Sequence, residues 1–204
     1  GSSEGAQSAG AGQRIELGAV VDAIYDLAER YPVVADLLSV QHRRVRDALT
    51  DSLPPARVAG YAVTVGTAYN TLGDLEAARA EFEVAEDLLE TVDEPPSEIK
   101  AARLYGLASV LKTEGAYDAA LNRLADARLE LNGTDSDAAN RLFAKVAQMT
   151  GDINSVRSDF DEAERWYRRI TERVTDESLA ALQADRLGSV ARKRGRLEDA
   201  AAHY

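Results

Sequence analysis

Four segments of this chain superpose without internal gaps, and that repetition constrains the fold more than any other feature. They are YAVTVGTAYNTLGDLEAARAEFEVA (61–85), LYGLASVLKTEGAYDAALNRLADA (104–127), VAQMTGDINSVRSDFDEAERWYRRI (146–170) and ADRLGSVARKRGRLEDAAAHY (184–204). A small residue recurs in each, at Gly66, Ala108, Gly151 and Gly188, with spacings of 42, 43 and 37 residues. Periods of about 20–50 residues signal stacked supersecondary units, none of which can bury its apolar face alone. Apolar residues fall three and four apart with little period-two alternation, so each unit reads as helix, turn, helix and the chain as all-α.

The breaks between units are chemical. SLPPA (52–56) and DEPPSE (93–98) carry prolines that helices do not continue through, while LNGTDSD (131–137) and VTDES (174–178) supply an Asn-Gly stop and Asp/Ser cap candidates. Four repeats are therefore expected over about 57–92, 98–132, 137–174 and 177–204. Ahead of them Leu17, Val20, Val21, Ile24, Leu27 and Ala28 form one stripe, and beyond Pro32 a second runs Val34, Leu37, Leu38, Gln41, Val45 and Leu49, predicting a helix pair over 14–52. Residues 1–13 lack an initiator Met, are rich in Gly, Ser and Ala, and read as a tag remnant or flexible lead-in.

This pattern resembles the tetratricopeptide repeat, whose signature is a Leu-Gly pair, a Tyr, then an Ala followed one turn later by an aromatic. Leu187 and Gly188 match the pair, and Tyr69 matches the Tyr. Ala78/Phe82, Ala163/Tyr167 and Ala200/Tyr204 match the Ala-to-aromatic spacing. Gly73, Gly115 and Gly195 stand where the first helix closes, but the third repeat has Ser158 there, and Asn154 where the Tyr belongs. The resemblance covers 57–204, and its periods are similar to the longer bacterial and kinesin-light-chain varieties of the repeat. It implies a right-handed superhelical α-solenoid of antiparallel helix pairs. In it the small residues admit close helix approach, and Phe82, Tyr167 and Tyr204 fill the space between neighbours. Because the sequence stops at Tyr204 within a second helix, the last repeat is expected to be truncated, the chain to be part of a longer protein, and the uncapped end to self-associate.

In that family the first helix of each repeat lines a concave groove. The matching positions are Thr64, Thr67 and Asn70; Tyr105, Ser109 and Lys112; Lys145, Gln148 and Asp152; Arg186, Ser189 and Arg192. Such a mixed polar surface suits a peptide held by side-chain hydrogen bonds to its backbone. Family members that bind chaperone tails use a two-carboxylate clamp of Lys, Asn, Asn, Lys and Arg. Here Val63, Thr67, Gly106, Lys145 and Met149 occupy those places, so no such tail is expected to bind. Trp166 reads as partly exposed packing on a second helix.

Chemistry-bearing constellations are absent from the sequence. With no cysteine, disulfides, thiolate metal sites and a cysteine nucleophile are excluded together. His42 and His203 stand far apart, without a second His or a carboxylate at metal-ligand spacing, and no phosphate-cradling or nucleophile-elbow motif occurs. No catalytic residue, metal site or cofactor is expected, and the Asn-Gly-Thr at Asn132 reads as a turn rather than a glycan acceptor. A formal charge of -11 disfavours direct binding to nucleic acid or an anionic membrane. Without an apolar span or a signal peptide, the cytoplasm is the default location.

Two charge features stand out. Ten carboxylates against Arg79 alone lie between Asp74 and Glu98, expected to form a solvated outer face with docking of a basic segment as the functional alternative. RKRGR (192–196) with Arg186 forms a basic cluster, read either as a helix C-terminus favoured by cations or as a site for carboxylates, phosphates or an acidic peptide. The expected function is a non-enzymatic module that binds a protein or peptide segment in the groove. The alternative is the peptide-sensing array of a bacterial transcriptional or signalling regulator, for which twenty arginines against four lysines suggest a GC-rich source. A scaffold attached to an enzyme domain that lies wholly outside these residues is the third reading.

Overall fold

The structure is a computed structural model that describes residues 42–174 and 176–196. The 1–13 lead-in, the first helix of the N-terminal pair with Pro32, His203 and the Ala200/Tyr204 pair lie outside the described residues. Among those described there are eight helices and no strand: α1 (42–50), α2 (Pro55–Leu72), α3 (Leu75–Glu90), α4 (Ser97–Thr113), α5 (Tyr117–Glu130), α6 (Asp137–Val156), α7 (Phe160–Tyr167) and α8 (Glu177–Lys193). The fold is all-α.

One local device closes each short helix-to-helix turn. Gly73 takes φ 83°, a left-handed conformation that glycine adopts without a Cβ penalty, and ends α2. Its N–H donates to the Asn70 carbonyl, and that of Asp74 reaches back to Tyr69, satisfying carbonyls the helix end would orphan. The same pair of bonds recurs from Gly115 and Ala116 to Lys112 and Leu111, from Ser158 and Asp159 to Ser155 and Asn154, and from Gly195 and Arg196 to Arg192 and Ala191. Ser158 therefore accepts φ 66°, the one positive φ outside glycine among the described residues. The aspartate after the turn then starts the next helix: Asp74 accepts from the Ala77 N–H at 3.0 Å, and Asp159 from Glu162 at 3.3 Å. Ser136 and Asp176 cap α6 and α8 in the same way.

The chain divides into two compact units, Gly1–Ile99 and Lys100–Tyr204. In the first, Leu49 of α1 packs with Val58, Tyr61 and Val65 of α2, flanked by Leu88 of α3. Gly66 lets α3 close on α2, for a Cβ there would stand 2.8 Å from Phe82. In the second unit α6 serves two cores. Phe143, Val146, Met149 and Ile153 join Leu104 and Ala108 of α4 and Leu124 of α5, while Ala144 and Ala147 join Ala163 and Tyr167 of α7 and Val190 of α8. Tyr167 lies over Gly151, where a Cβ would come within 2.5 Å of its ring. The middle repeat solves the same problem with smaller parts: Ala108 takes the glycine's place and Leu124 the aromatic's, both buried.

Candidate functional site

A polar face on α4, α6 and α8

The helices α4, α6 and α8 carry hydrogen-bonding side chains one turn apart: Ser109 and Lys112, Gln148 and Asp152, and Arg186, Ser189 and Arg192. Asp152 is the node that joins them. Its Oδ1 accepts the Tyr167 hydroxyl at 2.8 Å, and its carboxylate lies 3.9 Å from Lys112 Nζ and 3.5 Å from Arg186 Nε. Burial first, and the Asp152 carboxylate second, push the Tyr167 hydroxyl far above its ordinary range, so it stays a proton donor and fixes the Asp152 rotamer. The two ion pairs are part-exposed and long, each worth under about 1 kcal/mol, so the ordering comes chiefly from the tyrosine anchored in the core. Lys193 Nζ adds a tie from α8 to α6, donating to Ser155 Oγ at 2.8 Å.

Lys145 and Arg192 are exposed, and Tyr105, Ser109, Lys112, Gln148, Arg186 and Ser189 are half-buried. The structure thus brings Lys112 and Arg186 together around Asp152. Thr67 and Asn70 belong to the other unit. There the Thr64 and Thr67 hydroxyls donate back to the Gly60 and Val63 carbonyls at 3.2 and 2.9 Å, committing their protons within α2. On the second unit's face Lys112 and Arg186 both lie against Asp152, Arg186 also reaches Asp185 at 4.0 Å, and Lys145 and Arg192 are the exposed cations.

Three sequence readings change in the folded chain. Of the two readings of RKRGR, Arg192 and Lys193 do stand in the last turn of α8, and the rest of the run is not an open patch: Arg194 pairs with Asp161 and lies 3.4 Å from Glu164, and Arg196 donates to Glu164 at 3.0 Å. Burial raises Glu164, but the bonds from Arg196 and Arg168 outweigh it and hold the carboxyl below its ordinary range. The acidic stretch is not wholly a solvated face, because Glu81 is buried and its carboxylate takes Arg46 Nη1 at 2.9 and 2.8 Å. His42, for which the sequence offered no carboxylate partner, is buried beside it, with Nε2 3.2 Å from Glu81 and Nδ1 3.2 Å from the Tyr69 hydroxyl. Burial, then Glu81, push the neighbouring Tyr61 hydroxyl up to about 12.

Sequence reasoning missed Gln183 altogether. Its Nε2 donates to the Tyr167 and Arg168 carbonyls at 2.9 and 2.8 Å, so α8 caps the end of α7. A glutamine on a helix carries no signal of this kind. Trp166 is half-buried with the Arg169 guanidinium 4.9 Å from its ring centre, in keeping with its expected packing role. Among the described residues no helix is long and apolar enough to cross a membrane.

No protein-family model and no curated protein matches the chain. Among solved structures it is similar to the crystal structure of BtubC (BKLC) from P. vanneervenii, at 15% identity and a TM-score of 0.40, over 90% of this chain and 87% of that one.

Proposed function

We propose that the chain is a tetratricopeptide-like solenoid and a non-enzymatic interaction module, binding an extended protein segment along the face of α4, α6 and α8. The observation that carries this reading is the Asp152 node. Side chains from three successive first helices meet at one carboxylate, as stacking of like units in one sense requires. The recurring close of each turn and the sharing of α6 between two cores support the same arrangement. A pre-set Asp152 offers an acceptor to a peptide N–H, and the cations around it offer donors to peptide carbonyls or carboxylates, so little ordering remains to oppose binding. Lys145 and Arg192, the exposed cations of that face, favour an acidic segment.

The test is selection from a random-peptide display library against the native protein and a Lys112→Glu/Lys145→Glu/Arg192→Glu variant whose helical circular dichroism is intact. Enrichment of acidic sequences by the native protein and their loss with the variant is expected. Enrichment of identical sequences by both, or of none, would overturn the reading.

A further inference from the structure

The chain has five asparagines, and the fold sets Asn132 apart from the other four. Asn70, Asn122, Asn140 and Asn154 lie inside α2, α5 and α6, where the N–H of the following residue belongs to the helical ladder. Asn132 stands in the turn between α5 and α6, is exposed, and is followed by Gly133. Gly133 takes φ 79°, and nothing lies within 4 Å of where a Cβ on it would stand. Neither the Asn132 carboxamide nor the Gly133 N–H makes a hydrogen bond among the described residues. An amide electrophile and a backbone nitrogen are thus adjacent, untied and open to water.

We propose that Asn132 is a covalent self-modification site, at which the Gly133 nitrogen converts the side-chain amide to an acid through a cyclic imide. Hydroxide takes the Gly133 amide proton, and the nitrogen bonds to Asn132 Cγ. The bond from Cγ to the side-chain nitrogen breaks, and that nitrogen leaves as ammonia with a proton returned by water. Water then opens the five-membered imide at either carbonyl, giving aspartate or an isoaspartate whose main chain runs through Cγ. Each event consumes one water, releases one ammonia and adds one negative charge, with no change of oxidation state. Asparagine side chains reach neighbouring backbone groups only where a helix does not hold those groups, and glycine brings no Cβ to shield its nitrogen. The isoaspartyl link adds a backbone carbon beside Leu131, which is buried and whose carbonyl accepts Arg173 Nη1 at 3.0 Å. It also sets a carboxylate just past the C-terminus of α5, the helix end that disfavours an anion.

The test incubates the full chain, with its helical circular dichroism intact, at neutral and at mildly alkaline pH beside a synthetic peptide of residues 129–141 that serves as the clock. Tryptic mass mapping should show amide-to-acid conversion at Asn132, faster in proportion to hydroxide, with Asn70, Asn122, Asn140 and Asn154 retained as amides. The converted chain should elute later from an anion exchanger and accept labelled methyl groups from S-adenosylmethionine through an isoaspartyl-specific methyltransferase. Asn132→Gln, whose longer side chain would have to close a six-membered ring, should do neither. An Asn132 still intact when the peptide has fully converted, conversion shared equally by the helical asparagines, or aspartate formed without isoaspartate would overturn the proposal.

Discussion

Replacing Gly66 by Ala isolates the close approach that lets each helix pair form. A Cβ at that position would stand 2.8 Å from Phe82 Cε1, 3.0 Å from Cδ1 and 3.1 Å from the Ala78 carbonyl oxygen. Carbon contacts are normally about 3.5–4.0 Å, so the methyl must displace a ring that is wholly buried or a helix backbone. Overpacking of this kind costs about 1–3 kcal/mol, and the better helix propensity of Ala returns about 1 kcal/mol. The single substitution should therefore destabilise by about 0–2 kcal/mol. The second repeat shows the remedy, since Ala108 and Leu124 fill the same places and are both buried. Phe82→Leu alone should cost about 1–2 kcal/mol, less than truncation to Ala, because most of the side-chain volume is kept. On that background Gly66→Ala should become neutral or stabilising by about 1 kcal/mol. Denaturant unfolding of the four proteins, followed by far-ultraviolet circular dichroism, gives the coupling directly, expected at about 1–3 kcal/mol. Free energies additive within about 0.5 kcal/mol would refute the steric account.

Three further outcomes follow from particular contacts. Ser158→Gly should raise stability by about 1 kcal/mol in the same unfolding assay, because glycine takes the φ of 66° without the penalty serine bears there. Arg46→Leu should cost about 2–4 kcal/mol, since it strips the buried Glu81 carboxylate of its guanidinium, and Glu81→Gln with Arg46→Leu should recover part of that loss. The Glu164 carboxyl is held below its unfolded value of 4.5, so its contribution is present above that pH and disappears as pH falls through the lower folded value. Glu164→Gln should accordingly flatten the acid limb of a stability-against-pH curve, and an unchanged limb would show that the three arginines near it do not act on its titration.

Local structure was legible because it is written in short-range signals. The periodicity gave helices, prolines and Asn-Gly marked breaks, and Gly73, Gly115 and Gly195 stood where the turns need a left-handed residue. Ser158 was seen as the exception, and the fold makes it conform rather than altering the turn. The sequence puts Lys112, Asp152 and Arg186 on one face, but not the ion pairs that join them or the hydroxyl that holds the carboxylate, because Tyr167 reads there only as core filler. What stayed hidden was every polar contact across long sequence separation. Glu81 looked like one acid among ten, since burial depends on Arg46 and His42 arriving from another helix. The basic run stays two-sided in the sequence because its neutralising partners, Asp161 and Glu164, sit on a helix whose own pattern says nothing about what packs beside it.

The most direct test of the central claim is amide chemical-shift mapping of the isotopically labelled chain titrated with an acidic peptide taken from the display selection. Saturable shifts confined to Ser109, Lys112, Gln148, Asp152, Ser189 and their neighbours on α4, α6 and α8 are the predicted result. Shifts centred on α5 and α7, or none at peptide concentrations that saturate the selection, would contradict it.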